Sequence, residues 1–175
     1  MNLFIKYHIK DYKLSILKEG FDSVTIEEIE KFQKKIGYKL PQDYKDFILL
    51  YNGCYTGYEV YKYERINYWD GDLEKKEFYL SRFISINFTI GLFDDEENER
   101  PDRKYLNIAE CSFGNPKIYL SLNKKTYGNI YYNDFPHEGY YYKIADNFTD
   151  FLKGFIYEPE DFPSDYDDLF WTTVP

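Results

Sequence analysis

At 175 residues, of which 43% are hydrophobic, the chain is long and apolar enough to form one domain over residues 1–175, and its composition excludes a disordered protein. Its formal net charge of −9 disfavours nucleic acid and anionic membranes as partners and favours a basic protein; the alternative is that the charge only keeps the protein soluble. Aromatic residues make up 22% of the chain, including 21 Tyr and 15 Phe, so rings must fill much of the core. Some Tyr must remain at the surface, where this residue suits protein binding.

Cysteine and histidine, which carry out much of enzyme catalysis and hold zinc, are sparse. Cys54 and Cys111 are the two cysteines, and His8 and His137 are the two histidines. Their spacing fits neither a zinc site nor an acid–base pair, and two lone cysteines indicate a reducing compartment. The N-terminus lacks the uninterrupted apolar core of a signal peptide, and no run of residues is long enough to span a bilayer. We therefore predict a cytoplasmic protein that is not an enzyme and binds no metal or cofactor.

The first clear element is a helix that starts near Thr25. Residues 1–20 are ambiguous, because a short helix there is indicated only by the spacing of Ile9, Tyr12 and Ile16. Thr25 and Glu28 have the spacing of a capping box, in which each side chain accepts a hydrogen bond from the other residue's backbone amide. One apolar face follows, formed by Ile29, Phe32 and Ile36. Gly37 then permits the left-handed conformation that ends a helix.

A second helix is predicted between Gly37 and Gly53. Pro41 can occupy its first position, where a missing amide hydrogen costs nothing. Apolar and aromatic side chains recur at helical spacing: Leu40, Tyr44, Phe47, Ile48 and Tyr51. Asn52 and Gly53 end this helix, since both tolerate a positive φ angle. Two helices with apolar faces need a common partner, and a sheet is the expected one.

Beyond Gly53 the pattern changes to strands and turns. Segments rich in Ile, Phe and Tyr are separated by Gly, Asn, Asp and Pro: 77–90, 104–112, 117–122, 129–134 and 140–145. The short sequence KKTYG between two of these segments predicts a hairpin. A closing helix is predicted over residues 146–156, capped by Asp146 or Asn147. Its apolar stripe is formed by Phe148, Phe151, Leu152 and Phe155.

The order of helices, strands and a final helix indicates an α+β fold. We predict a single domain whose sheet is largely antiparallel or mixed and is packed by helices from both ends of the chain. The core spans residues from about 23 to about 156, and residues 157–175 form an acidic, aromatic C-terminal segment.

Three groups of residues carry a resemblance to a known family. The helical group is the run from Thr25 to Glu30, then Gly37, Leu40-Pro41, Asp43-Tyr44, Phe47 and Tyr51-Asn52-Gly53. The strand group is Ile108-Ala109-Glu110, Gly114-Asn115, Ile118-Tyr119-Leu120 and Gly128-Asn129-Ile130-Tyr131. The closing group is Phe148, Phe151 and Leu152. Together they resemble the SUKH superfamily of the Smi/Knr type, which includes fungal cell-wall regulators and many bacterial immunity proteins; the stretch 54–103 is weakly covered.

The resemblance implies a non-catalytic domain that binds another protein. In the bacterial branch this partner is commonly a toxin, so a cognate toxin with a basic surface, such as a nuclease-type effector, is the expected partner. The alternative is an intracellular adaptor that regulates cell-wall or signalling proteins. No catalytic residues are carried over, and the matched positions are interpreted as structural: Thr25, Glu28, Gly37, Leu40, Pro41, Tyr44, Phe47, Asn52, Gly53 and Gly114.

Two acidic segments are candidates for contact with a basic partner. The first is the cluster Asp94, Asp95, Glu96 and Glu97, for which a solvated loop is the alternative. The second carries both carboxylates and aromatic anchors: Asp161, Asp165, Tyr166, Asp167, Asp168 and Trp171. Aromatic anchors inside a charged rim are typical of a binding hot spot. The alternative is that these aromatic side chains dock the segment onto its own domain.

Overall fold

The computed structural model describes residues 6–8, 14–17, 23–57, 59–67, 69–89, 104–112, 116–133 and 141–156, with 6–8 and 15–17 described by their backbone alone. Four helical segments lie in this part of the chain: α1 (Ile26–Ile36), α2 (Gln42–Tyr51), α3 (residues 86–89) and α4 (Phe148–Lys153). The first strands are β1 (Lys6–His8), β2 (Ser15–Leu17), β3 (Tyr55–Thr56), β4 (Val60–Ile66) and β5 (Leu73–Phe83). The others are β6 (Tyr105–Cys111), β7 (Lys117–Ser121), β8 (Ile130–Asn133), β9 (Tyr141–Ala145) and β10 (Phe155–Ile156).

The ten strands form one sheet, and every described pairing is antiparallel. The order is β1-β2-β3-β5-β6-β7-β8-β9, while β4 pairs with both β5 and β10. The long strand β5 therefore has two roles, because its first half pairs with β4 and its second half with β3 and β6. The sheet curls, so that the Tyr61 hydroxyl on β4 donates a 2.9 Å hydrogen bond to the Ile144 carbonyl on β9. The predicted α+β class is confirmed.

Helix α1 starts and ends as its sequence predicts. The Thr25 hydroxyl accepts from the Glu28 amide at 3.2 Å, and the Glu28 carboxylate accepts from the Thr25 amide at 2.8 Å. These bonds from Thr25 hold the pKa of the Glu28 carboxyl below its ordinary value. Gly37 ends the helix with φ at 79°, a conformation that costs glycine little. The Gln33 side chain then accepts from the Leu40 amide and joins α1 to the start of α2.

The two ends of α2 differ from the expectation. Pro41 is not the first helical residue but the N-cap, with ψ at 146°, and the helix begins at Gln42. At the other end only Gly53 has a positive φ, whereas Asn52 has φ at −66°. Asn52 has a different role: it is buried, and its side-chain oxygen accepts a 3.0 Å hydrogen bond from the amide of Ile86 at the start of α3. This bond fixes α3 against the end of α2.

Three other boundaries depart from the sequence predictions. The possible N-terminal helix is wrong at Ile16, which lies in β2 and pairs with β1 and β3; Ile9 and Tyr12 lie outside the described residues. The segment predicted as one strand over 77–90 ends as a strand at Phe83, and residues 86–89 are helical. The closing helix ends at Lys153, so Phe155 belongs to β10, and Asn147 rather than Asp146 is its cap.

Aromatic rings from the helices and the sheet meet in the core. Phe47 of α2 is 6% exposed, and its ring centroid lies 4.6 Å from that of Phe83 and 5.0 Å from that of Phe148. On the far side of the core, Tyr61 stacks on Phe78 and also contacts Phe151 and Phe155. The predicted packing of helices from both ends of the chain against one sheet therefore holds for α1, α2 and α4.

Candidate protein-binding surfaces

One face of strands β6 to β9 is left outside the core, and tyrosines cover it. Alternate residues of these strands are buried beneath the helices: Leu106, Ile108, Ile118, Leu120, Ile130 and Tyr132. The residues between them point to the opposite face. Four tyrosines lie on this opposite face of the strands, and we call them the tyrosine face: Tyr105, Tyr119, Tyr131 and Tyr141.

The rings of the tyrosine face contact one another. Tyr105 stacks on Tyr141 with centroids 4.8 Å apart and an interplanar angle of 12°. Tyr131 meets Tyr105 edge-on at 5.5 Å, and Tyr119 meets Tyr141 edge-on at 5.3 Å. Such mutual contacts limit the rotamers of the rings before any partner arrives, which lowers the entropy lost on binding.

Polar groups of the tyrosine face are suited to hydrogen bonding. Burial, with Tyr141 nearby, raises the pKa of Tyr119 to about 12, so its hydroxyl remains a hydrogen-bond donor even in alkaline solution near pH 10. Asn107 lies opposite Tyr119 in the register of β6 and β7. Its side-chain oxygen is buried and accepts no hydrogen bond from the described residues. This buried oxygen therefore carries a desolvation cost within the domain.

The second surface is the β4–β5 hairpin, which has a charged outward side and an apolar end. Opposite charges face each other across its outward side, first Lys62 with Glu77 and then Glu64 with Lys75. The next outward pair is Ile66 with Leu73. These two side chains are 58% and 61% exposed, and Trp69 in the turn between them is 82% exposed. We call Ile66, Trp69, Asp70, Asp72 and Leu73 the hairpin tip.

Backbone and side-chain hydrogen bonds hold the turn of the hairpin tip in one shape. The amide of Asn67 donates to the carbonyl of Asp72 at 2.8 Å, and the amide of Gly71 donates to the carbonyl of Asn67 at 3.0 Å. The Asn67 side chain accepts from the Trp69 amide, and the Asp70 side chain accepts from the Asp72 amide. Gly71 has φ at 76°, which a side chain would strain.

The inward side of the same hairpin fixes it to the domain. Arg65 binds Glu74 at 3.2 Å, and its guanidinium lies 4.8 Å from the ring centroid of Tyr142 on β9. Glu74 also accepts from Asn67 at 2.6 Å and pairs with Lys76 at 3.1 Å. The bonds from Asn67, Lys76 and Arg65 lower the pKa of the Glu74 carboxyl. The exposed side chains of the tip are therefore presented on an anchored support.

Negative charge is distributed unevenly along the chain. The described residues contain 17 Lys and Arg and 14 Asp and Glu, out of totals of 22 and 31. The residues outside the described part therefore contain 5 basic and 17 acidic residues. The described part has a net charge of +3, and the remainder of the chain has a net charge of −12. Both predicted acidic segments, 94–97 and 158–171, belong to that remainder and lie outside the described residues, as do Gly114 and His137.

The remaining sequence candidates have structural positions. Cys54 and Cys111 are both buried, and burial raises the pKa of the Cys54 thiol to about 12, which disfavours the reactive thiolate. Among the described residues, no group of three or more His, Cys, Asp or Glu side chains is placed to hold a metal ion. Within the same ranges, none of the helices combines the length and apolar character required to cross a bilayer.

The hairpin tip was missed by the sequence analysis, although it carries a signal. Asp70-Gly71 is a typical hairpin turn, and the flanking segment from Val60 to Ile66 alternates aromatic or apolar residues with charged ones. Charged residues at inward positions, Arg65 and Glu74, interrupt the apolar alternation that a half-buried strand usually shows.

Two N-terminal helices, a curled antiparallel sheet and a short closing helix together define the class of protein, a single α+β domain. A family model described as SMI1/KNR4 (SUKH-1) matches residues 23–154. This range takes in α1 and α2, both candidate surfaces and α4, so the chain belongs to the SMI1/KNR4 family (SUKH-1). No curated protein sequence matches the chain.

Proposed function

We propose that this chain is an immunity protein that neutralises a cognate bacterial toxin by binding it directly, without catalysis. The observation that carries the proposal is the SUKH-1 match over residues 23–154, because immunity proteins form a large branch of the superfamily that the sequence resembles. The tyrosine face and the hairpin tip support a binding role, since Tyr and Trp are the residues that protein interfaces favour.

The proposed toxin has a basic surface. The 17 acidic residues outside the described part, against 5 basic ones, would attract such a surface over about 10 Å at 0.1 M salt. The two acidic segments remain the predicted sites of this attraction, with 158–171 the leading candidate and 94–97 the second. We further propose that the protein acts in the cytoplasm, in keeping with two cysteines that are both buried and unbridged.

Co-expression of the chain with the toxin gene next to its own tests this function. We expect the toxin alone to stop growth and the full-length chain to restore it, because direct binding blocks the toxin's action. The control is a chain carrying Leu80→Asp, which places a carboxylate at a fully buried position and should unfold the domain. This variant should fail to restore growth, because only the folded chain can bind the toxin. Growth arrest that persists beside well-expressed, folded chain would contradict neutralisation.

A further inference from the structure

The hairpin tip has the composition of a binding anchor rather than that of an ordinary turn. Its three large apolar side chains, Ile66, Trp69 and Leu73, are all more than half exposed. Ile66 and Leu73 pair across the two strands, and Trp69 lies in the turn that joins them. Single exposed apolar residues are common on soluble proteins, but a contiguous group marks an interaction site. Tryptophan is also the residue most enriched among those that dominate binding energy.

The support of the tip is rigid while its end is exposed. Tyr61 and Tyr63 of β4 are buried in the core, and Arg65 lies against Tyr142 of β9. Four hydrogen bonds hold the turn from Asn67 to Asp72. A pre-formed anchor loses little conformational entropy on binding, so its exposed area converts efficiently into affinity.

Charge at the tip limits the chemistry of its partner. Asp70 and Asp72 are exposed, and no Lys or Arg occurs among the described residues of the range 66–73. Behind the tip the outward charges balance in cross-strand pairs, Glu64 with Lys75 and Lys62 with Glu77. The tip thus combines an apolar centre with two carboxylates at its side. Its complement is an apolar recess whose rim carries Lys or Arg.

We propose that the hairpin tip inserts into an apolar cleft of the toxin whose rim is lined by Lys or Arg, with Trp69 as the anchor. This inference rests on the proposed function and names the element of this chain that enters the partner. The exposed end of a hairpin can enter a concave site, whereas the face of a sheet cannot. Insertion of a bulky ring beside two carboxylates would both fill the cleft and occupy its cations, which excludes an anionic substrate.

Trp69→Ala and Leu50→Ala form a matched pair of variants for this proposal. Both remove a large exposed side chain, 82% exposed at Trp69 and 67% at Leu50, and the second lies on α2, away from the hairpin. We expect Trp69→Ala to weaken binding of the toxin by at least about 30-fold and Leu50→Ala to leave it unchanged. Both variants should melt within about 2 °C of the unchanged protein, because both side chains are mostly exposed to solvent.

Asp70→Asn with Asp72→Asn tests the charges of the tip. Asparagine keeps the side-chain oxygen with which Asp70 accepts from the Asp72 amide, so the turn is retained. We expect slower association and a weaker dependence of the association rate on salt, measured with the same toxin.

A photo-crosslinking amino acid, p-benzoylphenylalanine, placed at position 69 or at position 50 of the full-length chain, locates the contact in the cells that make the protein. We expect position 69, but not position 50, to cross-link peptides that line a cleft of the toxin and lie beside its Lys or Arg residues.

The possible outcomes separate this inference from the proposed function. If Trp69→Ala binds and neutralises the toxin as well as the unchanged chain does, the inference is overturned and the proposed function stands. Cross-links from position 69 only to a protein that is not the toxin would overturn insertion of the tip into the toxin, and the proposed function would then be decided by the co-expression test alone. Cross-links only to a second copy of this chain, or none at all, would overturn the proposal.

Discussion

Phe47→Ala should lower the free energy of unfolding by about 3–5 kcal/mol, a large share of the total of roughly 5–15 kcal/mol for a domain of this size. Phe47 is 6% exposed, and its ring contacts Phe83 of β5 and Phe148 of α4 as well as Tyr51 of its own helix. The substitution leaves a cavity where α2, α4 and the sheet meet, and the rigid rings around it cannot close that cavity.

Chemical denaturation measures this loss, and Leu50→Ala on the exposed side of α2 is the control. Leu50 is 67% exposed, so its removal should change stability by no more than about 0.5 kcal/mol. A loss below about 1 kcal/mol for Phe47→Ala would place its ring outside the core and contradict the packing described for α2.

Gly154→Ala should destabilise the protein by about 1–3 kcal/mol, although it adds a single methyl group. Gly154 has φ at −75°, so backbone strain is not the reason. A β-carbon at this position would overlap the ring of Tyr61, lying 2.7 Å from Cζ. That ring cannot move aside, because it stacks on Phe78, contacts Phe155 and donates its hydroxyl hydrogen to Ile144.

A double-mutant cycle with Tyr61→Ala checks the cause of this effect. Once the Tyr61 ring is absent, the added methyl group has room, so Gly154→Ala should cost much less in the Tyr61→Ala background. Equal costs in both backgrounds, measured by denaturant unfolding, would mean that the methyl group is rejected for a reason other than the Tyr61 ring.

Local signals in the sequence were sufficient for helices α1, α2 and α4 and for most of the central strands, but not for α3, which was predicted as part of a strand. The Thr25–Glu28 capping box and Gly37 set the ends of α1 because each acts within one turn of the chain. The KKTYG turn joins β7 to β8 for the same reason, since a short loop fixes the pairing of its neighbours. The family resemblance, which rests on these same local elements, is confirmed by the match over residues 23–154.

Features set by distant partners were not predictable from one sequence. The local pattern predicts only that Asn52 ends a helix, but its buried side chain accepts a hydrogen bond from the amide of Ile86, 34 positions later. Strands β1, β2, β3 and β10 have two or three residues each, which is too few to show the alternation of apolar and polar residues that predicts a strand. They are defined only by their pairing with other strands. The hairpin tip was missed because inward positions of β4 and β5 hold Arg65 and Glu74, which pair with each other instead of being apolar.

The proposed neutralisation is tested most directly by titrating the purified toxin from the neighbouring gene with the full-length chain while the toxin's own activity is measured. Direct, non-catalytic binding predicts that activity falls linearly with added chain and is abolished at a fixed stoichiometric ratio, with no dependence on incubation time once binding is complete. Toxin activity that persists at a large excess of folded chain would contradict the account. So would activity that keeps falling with incubation time when the chain is present in less than the stoichiometric amount, since that would indicate catalysis.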